Sequence, residues 1–226
     1  MLVPDGARQE IKFVTNLRDT DVVYQWLKLH PLGFSEAYPM RTVHNIYFDT
    51  LEYSAYAENL AGVSDRTKVR YRWYGDSLLP QPGKLEIKQK RNQYGWKLLY
   101  KVDELPVDDK TTWIEIRKMI SSQLDHEGKL WLEQNPWAVM INHYRRYYYL
   151  SACGRIRVTL DFDQMVWDQR KDPRPNVRLK ANLPETVVVE CKFDRAERDL
   201  ATQALNGLPI RVARHSKYMN AVTAII

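Results

Sequence analysis

The chain has 226 residues, 44% of them hydrophobic, and its 34 Lys and Arg against 28 Asp and Glu give a formal net charge of +6. This composition suits one globular domain spanning residues 1–226 and excludes a disordered or low-complexity chain. The basic balance favours an anionic partner, and no apolar run reaches the roughly 18 residues that a membrane span needs.

In chain order, eight segments have the residue types and boundaries of β-strands: 8–15, 43–49, 66–75, 84–91, 96–103, 143–151, 155–163 and 186–193. Four helices are predicted between and after them: 20–29, 112–124, 194–206, and one that begins near Ser216. Thr112 and Glu115 have the spacing of a capping box, and Asp194 is the expected cap of the third helix. The proline-containing segment 168–184 is read as a loop.

Charged side chains occupy every second position in several of these strands, as in Arg66-Thr-Lys68-Val-Arg70-Tyr-Arg72 and Glu86-Ile-Lys88-Gln-Lys90. A period of two places such residues on one face of a strand. A solvent-exposed face would explain one such row. The repetition in several strands favours a closed sheet with a charged interior. We therefore predict an α+β fold: an eight-stranded antiparallel β-barrel forms a charged tunnel, with helices inserted between strands and packed outside.

Such an interior suits a polyphosphate guest. The planar fork of arginine pairs with two oxygens and lysine adds a compact charge. Glu10, Glu86 and Glu190 could supply the hard oxygen ligands that Mg²⁺ or Mn²⁺ prefers. The alternative for each glutamate is an ion pair with the lysine two residues later; metal binding is favoured for Glu190.

The residues also resemble a known family, the triphosphate tunnel metalloenzymes, and within it the catalytic domain of the vacuolar transporter chaperone (VTC), the polyphosphate polymerase branch. The resemblance runs nearly end to end and rests on the order of these short motifs: Arg8-Gln-Glu10-Ile-Lys12-Phe13, Tyr47-Phe-Asp49-Thr50, Val69-Arg70-Tyr-Arg72-Trp73, Leu85-Glu86-Ile-Lys88 with Lys97, Tyr144-Arg-Arg146, Arg157-Val-Thr159-Leu-Asp161, Val189-Glu190-Cys-Lys192 and Ser216-Lys217-Tyr218. Other branches begin with a Glu-x-Glu-x-Lys strand. Here Arg8 stands at the first glutamate position, which matches the polymerase branch and argues against thiamine-triphosphatase or adenylate-cyclase-like activity.

The resemblance implies metal-dependent phosphoryl transfer on triphosphates, with Mn²⁺ or Mg²⁺ on Glu190 and further carboxylates at Glu10 and Glu86. Together with the alternation, it assigns catalytic roles to Lys12, Arg70, Arg72, Lys88 and Lys217. Substrate-binding roles fall to Arg8, Arg66, Lys68, Lys90, Lys97, Arg146, Arg157, Lys192 and Ser216.

The expected activity is synthesis of inorganic polyphosphate from ATP or another nucleoside triphosphate. The alternatives are a triphosphatase that uses the same residues and a non-catalytic module that binds polyphosphate or nucleotide. Single-stranded nucleic-acid binding is disfavoured, because strand parity places Tyr71, Trp73 and Trp96 on the face opposite the charges. With two cysteines and no zinc-type spacing, we expect reduced thiols and a cytoplasmic location. The sequence also leaves open whether the protein acts with a membrane-bound partner protein that this chain does not encode.

Overall fold

The structure is a computed structural model that describes residues 3–4 and 6–226. Its strands are β1 (Arg8–Asn16), β2 (Ser35–Asp49), β3 (Asp65–Tyr74), β4 (Gly83–Arg91), β5 (Tyr94–Val102), β6 (Trp137–Leu150), β7 (Arg157–Asp168), β8 (Lys180–Ala181) and β9 (Thr186–Asp194). Its helices are α1 (Thr20–Leu29), α2 (Ser54–Leu60), α3 (Trp113–Ser122), α4 (His126–Gln134), α5 (Arg198–Leu205) and α6 (Lys217–Ile225). Within the described ranges, no helix is both long and apolar enough to cross a membrane.

All nine strands pair antiparallel in the order β6-β2-β3-β4-β5-β1-β9-β7-β8, and β6 also pairs with β7. This last pairing closes eight strands into a ring, to which the two-residue β8 adds at the edge of β7. The thinnest seam joins β1 to β5 through only two register pairs, Arg8 with Gly95 and Gln9 with Tyr94. The predicted α+β fold with an eight-stranded antiparallel ring is confirmed.

The hydrophobic core lies outside the ring, between the sheet and the helices. Helices α3 and α4 cover one side, where Ile116 and Ile120 pack with Tyr71, Trp73 and other outward residues of β2–β4. Helices α1 and α5 cover the other side against β1, β7 and β9, and the free thiol of Cys191 is buried there. Because the apolar face of each strand is used outside, the inner face is left for polar side chains.

Helix α6 lies across one end of the ring. Tyr218 and Val222 of this helix pack on Tyr47 and Met140, and the Tyr218 ring stacks on Tyr47 at 5.1 Å between centroids. The hydroxyl of Tyr218 donates to the buried carboxylate of Asp49 at the end of β2. The predicted start of this helix is confirmed, since the hydroxyl of Ser216 accepts from the backbone N–H of Met219.

Local capping agrees with the sequence at one helix and differs at another. The capping box of Thr112 and Glu115 is present at α3. The expected cap at Asp194 is wrong: a turn of 3-10 helix over Arg195–Glu197 precedes α5, and Asp194 pairs instead with Arg8. Helices α2 and α4 were not predicted, and neither was the start of β2 at Ser35. Pro39, which has no N–H to donate, lies in a part of β2 where the register with β6 shifts.

Candidate functional site

Strand parity separates the charged and apolar side chains of the ring. On β3, Val69 and Tyr71 are buried in the outer core, while the alternate Arg70 and Arg72 make their contacts inside the ring. On β4, Leu85 and Ile87 belong to the outer core, whereas Glu86 pairs with Arg70. The alternation read from the sequence therefore produces a charged interior.

Glu190 is the centre of this interior. Its carboxylate lies 3.1 Å from Lys12 Nζ, 2.7 Å from Lys192 Nζ, 3.1 Å from Arg146 Nη2 and 3.7 Å from Lys217 Nζ. Burial alone would raise the pKa of Glu190, but the surrounding cations, Lys12 foremost, hold it well below its usual range. The side chain, only 6% exposed, is therefore an anion held by four cations.

Glu10 is the second carboxylate of the same cluster and shares two of these cations. Lys12 Nζ lies 2.9 Å and Lys192 Nζ 3.6 Å from its carboxylate, and Lys88 Nζ lies 3.8 Å away. Burial and the nearby Glu190 would raise the pKa of Glu10, but its lysines lower it below the usual value. Neither glutamate has a simple one-to-one pair with the lysine two residues later.

Asp161 on β7 is a further carboxylate of the interior, and it was missing from the predicted site. The Arg146 guanidinium forks onto it, with Nη2 at 2.6 Å from Oδ2 and Nε on Oδ1, and Lys217 Nζ also contacts Oδ2. Its side chain is completely buried. The sequence does carry a sign of it. Arg157, Thr159 and Asp161 occupy every second position of β7, and the residues between them, Val158 and Leu160, lie in the outer core.

Glu86 belongs to a separate cluster. Arg70 donates to it from Nε at 2.7 Å and from Nη2 at 2.5 Å, while Lys97 Nζ lies 3.3 Å and Arg72 Nη1 3.8 Å away. Among the ion pairs of the described residues, none of these cations also contacts Glu10 or Glu190. Glu86 therefore holds Arg70 and Arg72 of β3 in place. Within those ion pairs it shares no cation with Glu10 and Glu190, the two glutamates that were predicted to bind metal together with it.

Uncharged polar side chains orient the two arginines of β3. Arg70 donates to the hydroxyl of Tyr47 at 3.3 Å, and Arg72 donates to Asn45 Oδ1 at 2.8 Å and to the hydroxyl of Tyr144 at 3.0 Å. Asn45 in turn donates to Asn142 at 2.8 Å. These contacts fix the direction of both guanidinium groups without neutralising them.

The segment before α6 brings backbone and side-chain groups to the same interior. Lys12 donates to the backbone carbonyl of His215 at 3.0 Å, and Lys68 donates to the hydroxyl of Ser216 at 2.9 Å. Burial, followed by repulsion from Lys88 and Lys12, lowers the pKa of Lys68 to about 6. For Lys88, Glu10 raises the pKa, but burial and the cationic neighbours outweigh it and the pKa falls to about 7.

Four predicted substrate-binding residues lie at the margins. Arg8 is half-exposed and pairs with Asp194 at 3.3 Å, and Arg157 is half-buried opposite Lys192 in the β7–β9 register. Arg66 and Lys90 face each other at one end of the β3–β4 pair. They line a cavity of about 310 Å³ between α2, α4 and the sheet. Thr67, Gln89 and Trp96 of the strands and Trp131 of α4 also line this cavity. These two cations therefore stand apart from the Glu190 cluster.

The carboxylates of the interior determine whether a divalent metal ion can bind there. No group of three or more His, Cys, Asp or Glu side chains placed for metal binding occurs in the part of the chain that the structure describes. Glu10 and Glu190 are hard oxygen donors joined through shared lysines, so they could hold Mg²⁺ or Mn²⁺ only if substrate oxygens and water complete the shell. Glu10 and Glu190 therefore fit a metal ion that binds together with a polyanion. The polyanion can pair with the lysines and so leave the carboxylate oxygens free for the metal.

Comparison with known proteins places this geometry in a family. A family model described as the VTC domain matches residues 7–226. A search of curated protein sequences gave no significant match. Among solved structures, a provisionally assigned adenylate cyclase from Vibrio parahaemolyticus is similar, with a TM-score of 0.53 at 12% identity over 96% of this chain and 98% of that one. A protein from Pyrococcus horikoshii aligns with a TM-score of 0.49 at 12% identity over the same shares. At such identity the first likeness supports the fold alone.

Replacing Asp161 with asparagine should destabilise the protein strongly. The change removes the carboxylate that Arg146 and Lys217 contact most closely and leaves them, among the described carboxylates, only Glu190, which Lys12 and Lys192 also share. Breaking a buried pair typically costs about 3–5 kcal/mol. Asp194→Asn removes an exposed partner of Arg8 and should cost about 0–1 kcal/mol. Urea unfolding of the two variants beside the unmodified protein measures both. Equal stabilities would show that Asp161 does not neutralise the interior.

Proposed function

The chain belongs to the VTC domain family, and we propose that it catalyses metal-dependent phosphoryl transfer on triphosphates inside the ring, with synthesis of inorganic polyphosphate from ATP as its activity. The family and the tunnel-type fold support phosphoryl chemistry on triphosphates. Polyphosphate as the product, and ATP as the donor, are the finer parts of the proposal.

The observation that carries the proposal is the charge of the ring interior. Eight basic side chains pair there with only four carboxylates: Lys12, Arg70, Arg72, Lys88, Lys97, Arg146, Lys192 and Lys217 with Glu10, Glu86, Asp161 and Glu190. Lys68 adds a further amine, held by the hydroxyl of Ser216. A bound triphosphate would offset this excess, because it carries several negative charges within one small molecule.

In the mechanism, the protein supplies position and charge. Arg70 and Arg72, oriented by Glu86, Tyr47 and Asn45, are placed to fork onto phosphate oxygens. Lys12, Lys88 and Lys192 can turn from glutamate to phosphate and neutralise the charge that develops on the transferred group. A divalent ion held by Glu190 and Glu10 would add charge neutralisation at the phosphate oxygens. No side chain needs to remove a proton if the acceptor is an ionised phosphate.

The remaining predicted residues take supporting roles in this proposal. Lys97, Arg146 and Lys217 already serve a carboxylate and keep the interior ordered, while Ser216 and Lys68 lie at the end that α6 covers. Arg8 and Arg157 stand at the margin of the β1–β9–β7 part of the ring, and Arg66 and Lys90 stand beside the cavity near α2. The four marginal cations could guide a polyanion toward the interior.

An assay of ATP turnover with Mn²⁺ that separates phosphate from polyphosphate on a gel tests the proposal, and Glu190→Gln is its informative variant. Turnover should be lost in this variant because the anionic oxygen is gone. Tripolyphosphate binding should persist or tighten, because one of the negative charges that compete for these four cations is gone. Glu133→Gln, an exposed change on α4, should behave like the unmodified protein. Release of phosphate without polyphosphate would contradict polymer synthesis. Normal turnover of Glu190→Gln at limiting Mn²⁺ would contradict the metal assignment.

Tripolyphosphate binding should depend on the protonation of Lys68 and Lys88, whose pKa values are lowered to about 6 and about 7. A bound polyanion favours the charged amines and raises both pKa values. The contribution of these lysines to affinity is therefore full below pH 6, and each loses up to about a factor of ten per pH unit above its free pKa. Calorimetry at pH 6, 7 and 8 measures this dependence.

Lys68→Arg is the matched control, because arginine stays charged over this range and the ionisation of the ligand cancels in the comparison. The affinity ratio of Lys68→Arg to the unmodified protein should rise from pH 6 to pH 8. A ratio that stays constant would show that Lys68 is already charged in the free protein.

A further inference from the structure

A group of tyrosines lies around the end of the ring that α6 does not cover. On β3, Lys68 contacts the segment before α6, and Tyr74 lies six residues further along the strand, ~20 Å away at the usual rise. On β6, Met140 packs with α6, and Tyr148 lies eight residues later. Tyr38 of β2 completes the group, and its ring meets that of Tyr148 edge-on at 5.7 Å. We call Tyr38, Arg41, Tyr74 and Tyr148 the aromatic rim.

Arg41 is the centre of the rim. Its guanidinium lies over three rings, 4.8 Å from the centroid of Tyr38, 5.8 Å from Tyr74 and 5.7 Å from Tyr148. Among the described residues, no carboxylate lies within 4.0 Å of this exposed cation. Its charge is therefore met by ring faces alone, which leaves its N–H groups free to bind an anion or a polar ring edge.

The rim continues directly into the charged interior. The guanidinium of Arg146, which forks onto Asp161, lies 5.2 Å from the Tyr144 ring and 5.9 Å from the Tyr148 ring. Arg72 donates to the hydroxyl of Tyr144. Cations and aromatic rings thus alternate from Arg72 through Tyr144, Arg146 and Tyr148 to Arg41.

From this continuity we propose that the aromatic rim binds the base of the nucleoside triphosphate whose phosphates enter the ring, an inference that rests on the proposed function. The base stacks on the ring of Tyr74, which is 46% exposed, and Arg41 contacts the base edge or the ribose-proximal phosphate. Along β3, Tyr74 is four residues from Arg70, ~13 Å at the usual rise, a span that suits an extended nucleoside triphosphate.

The cavity near α2 and α4 is the competing place for a base, since Trp96 and Trp131 line it. It is less suitable for two reasons. Three carboxylates, Asp49, Glu58 and Asp65, outnumber the two cations of its lining, Arg66 and Lys90, so its net charge opposes the attached phosphates. The indole N–H of Trp96 is also already committed to Gln89. In the part of the chain that the structure describes, no carboxylate pairs with Arg41, the cation of the aromatic rim.

The test compares the affinities of ATP and tripolyphosphate by calorimetry with EDTA present, so that turnover is prevented. In the unmodified protein ATP and GTP should bind more tightly than CTP and UTP, because larger rings stack better. Tyr74→Ala should lower the ratio of ATP affinity to tripolyphosphate affinity about tenfold, the equivalent of about 1.4 kcal/mol of stacking. Tyr74→Phe, which keeps the ring, should keep the ratio.

Two further variants make the test selective. Trp137→Ala removes an exposed aromatic at the opposite end of β6 and should leave the ratio unchanged. A fall in the ratio with Trp96→Ala and none with Tyr74→Ala would place the base in the cavity and overturn the rim proposal. Equal ratios in all variants would overturn it as well. If the unmodified protein does not bind tripolyphosphate, the proposed function is overturned, and the rim proposal with it.

Discussion

The pairing of Glu190 with four surrounding cations is the interaction on which the rest of the structure depends. Each of Lys12, Arg146, Lys192 and Lys217 comes from a different element, so the carboxylate ties β1, β6, β9 and α6 together through charge. Two of these cations also serve Glu10 and two serve Asp161. An interior with this many like charges is tolerable only because the few carboxylates are shared in this way.

Ring closure and the outer helices make such an interior possible. The ring strands use their outer apolar faces against α1, α3, α4 and α5. Strand pairing runs around the ring, with only two register pairs between β1 and β5. The polar face is thereby freed from core packing. In the absence of a polyanion the cations rest on their own carboxylates, so a triphosphate has to compete with Glu10, Glu86, Asp161 and Glu190. The carboxylates set how tightly the cations are held, and a divalent ion bound with the substrate would compensate for the glutamates that lose their lysines.

Much of this could be predicted from the sequence, because a period of two is a strong signal where one strand face is apolar and the other charged. The eight ring strands and the inward rows of β3 and β4 follow from it. The signal fails where residues lack that contrast. On β7 the contrast is weak, because uncharged Thr159 stands between Arg157 and Asp161 in the inward row. The first turn of α4, which follows its cap Asp125, is polar and contains Gly128. Pairing across strands is not local either. For that reason Glu86 was grouped with Glu10 and Glu190, although its partners come from β3 and β5.

The central claim is that the interior is a polyanion site whose charge is only partly neutralised by the protein. Thermal unfolding with tripolyphosphate at low salt, beside an equal concentration of sulfate, tests it most directly. The account predicts a stabilisation of about 2.7 kcal/mol at a tripolyphosphate concentration one hundred times the dissociation constant, and much less with sulfate. High salt should reduce the stabilisation. An unchanged melting temperature with tripolyphosphate at low salt would contradict the account.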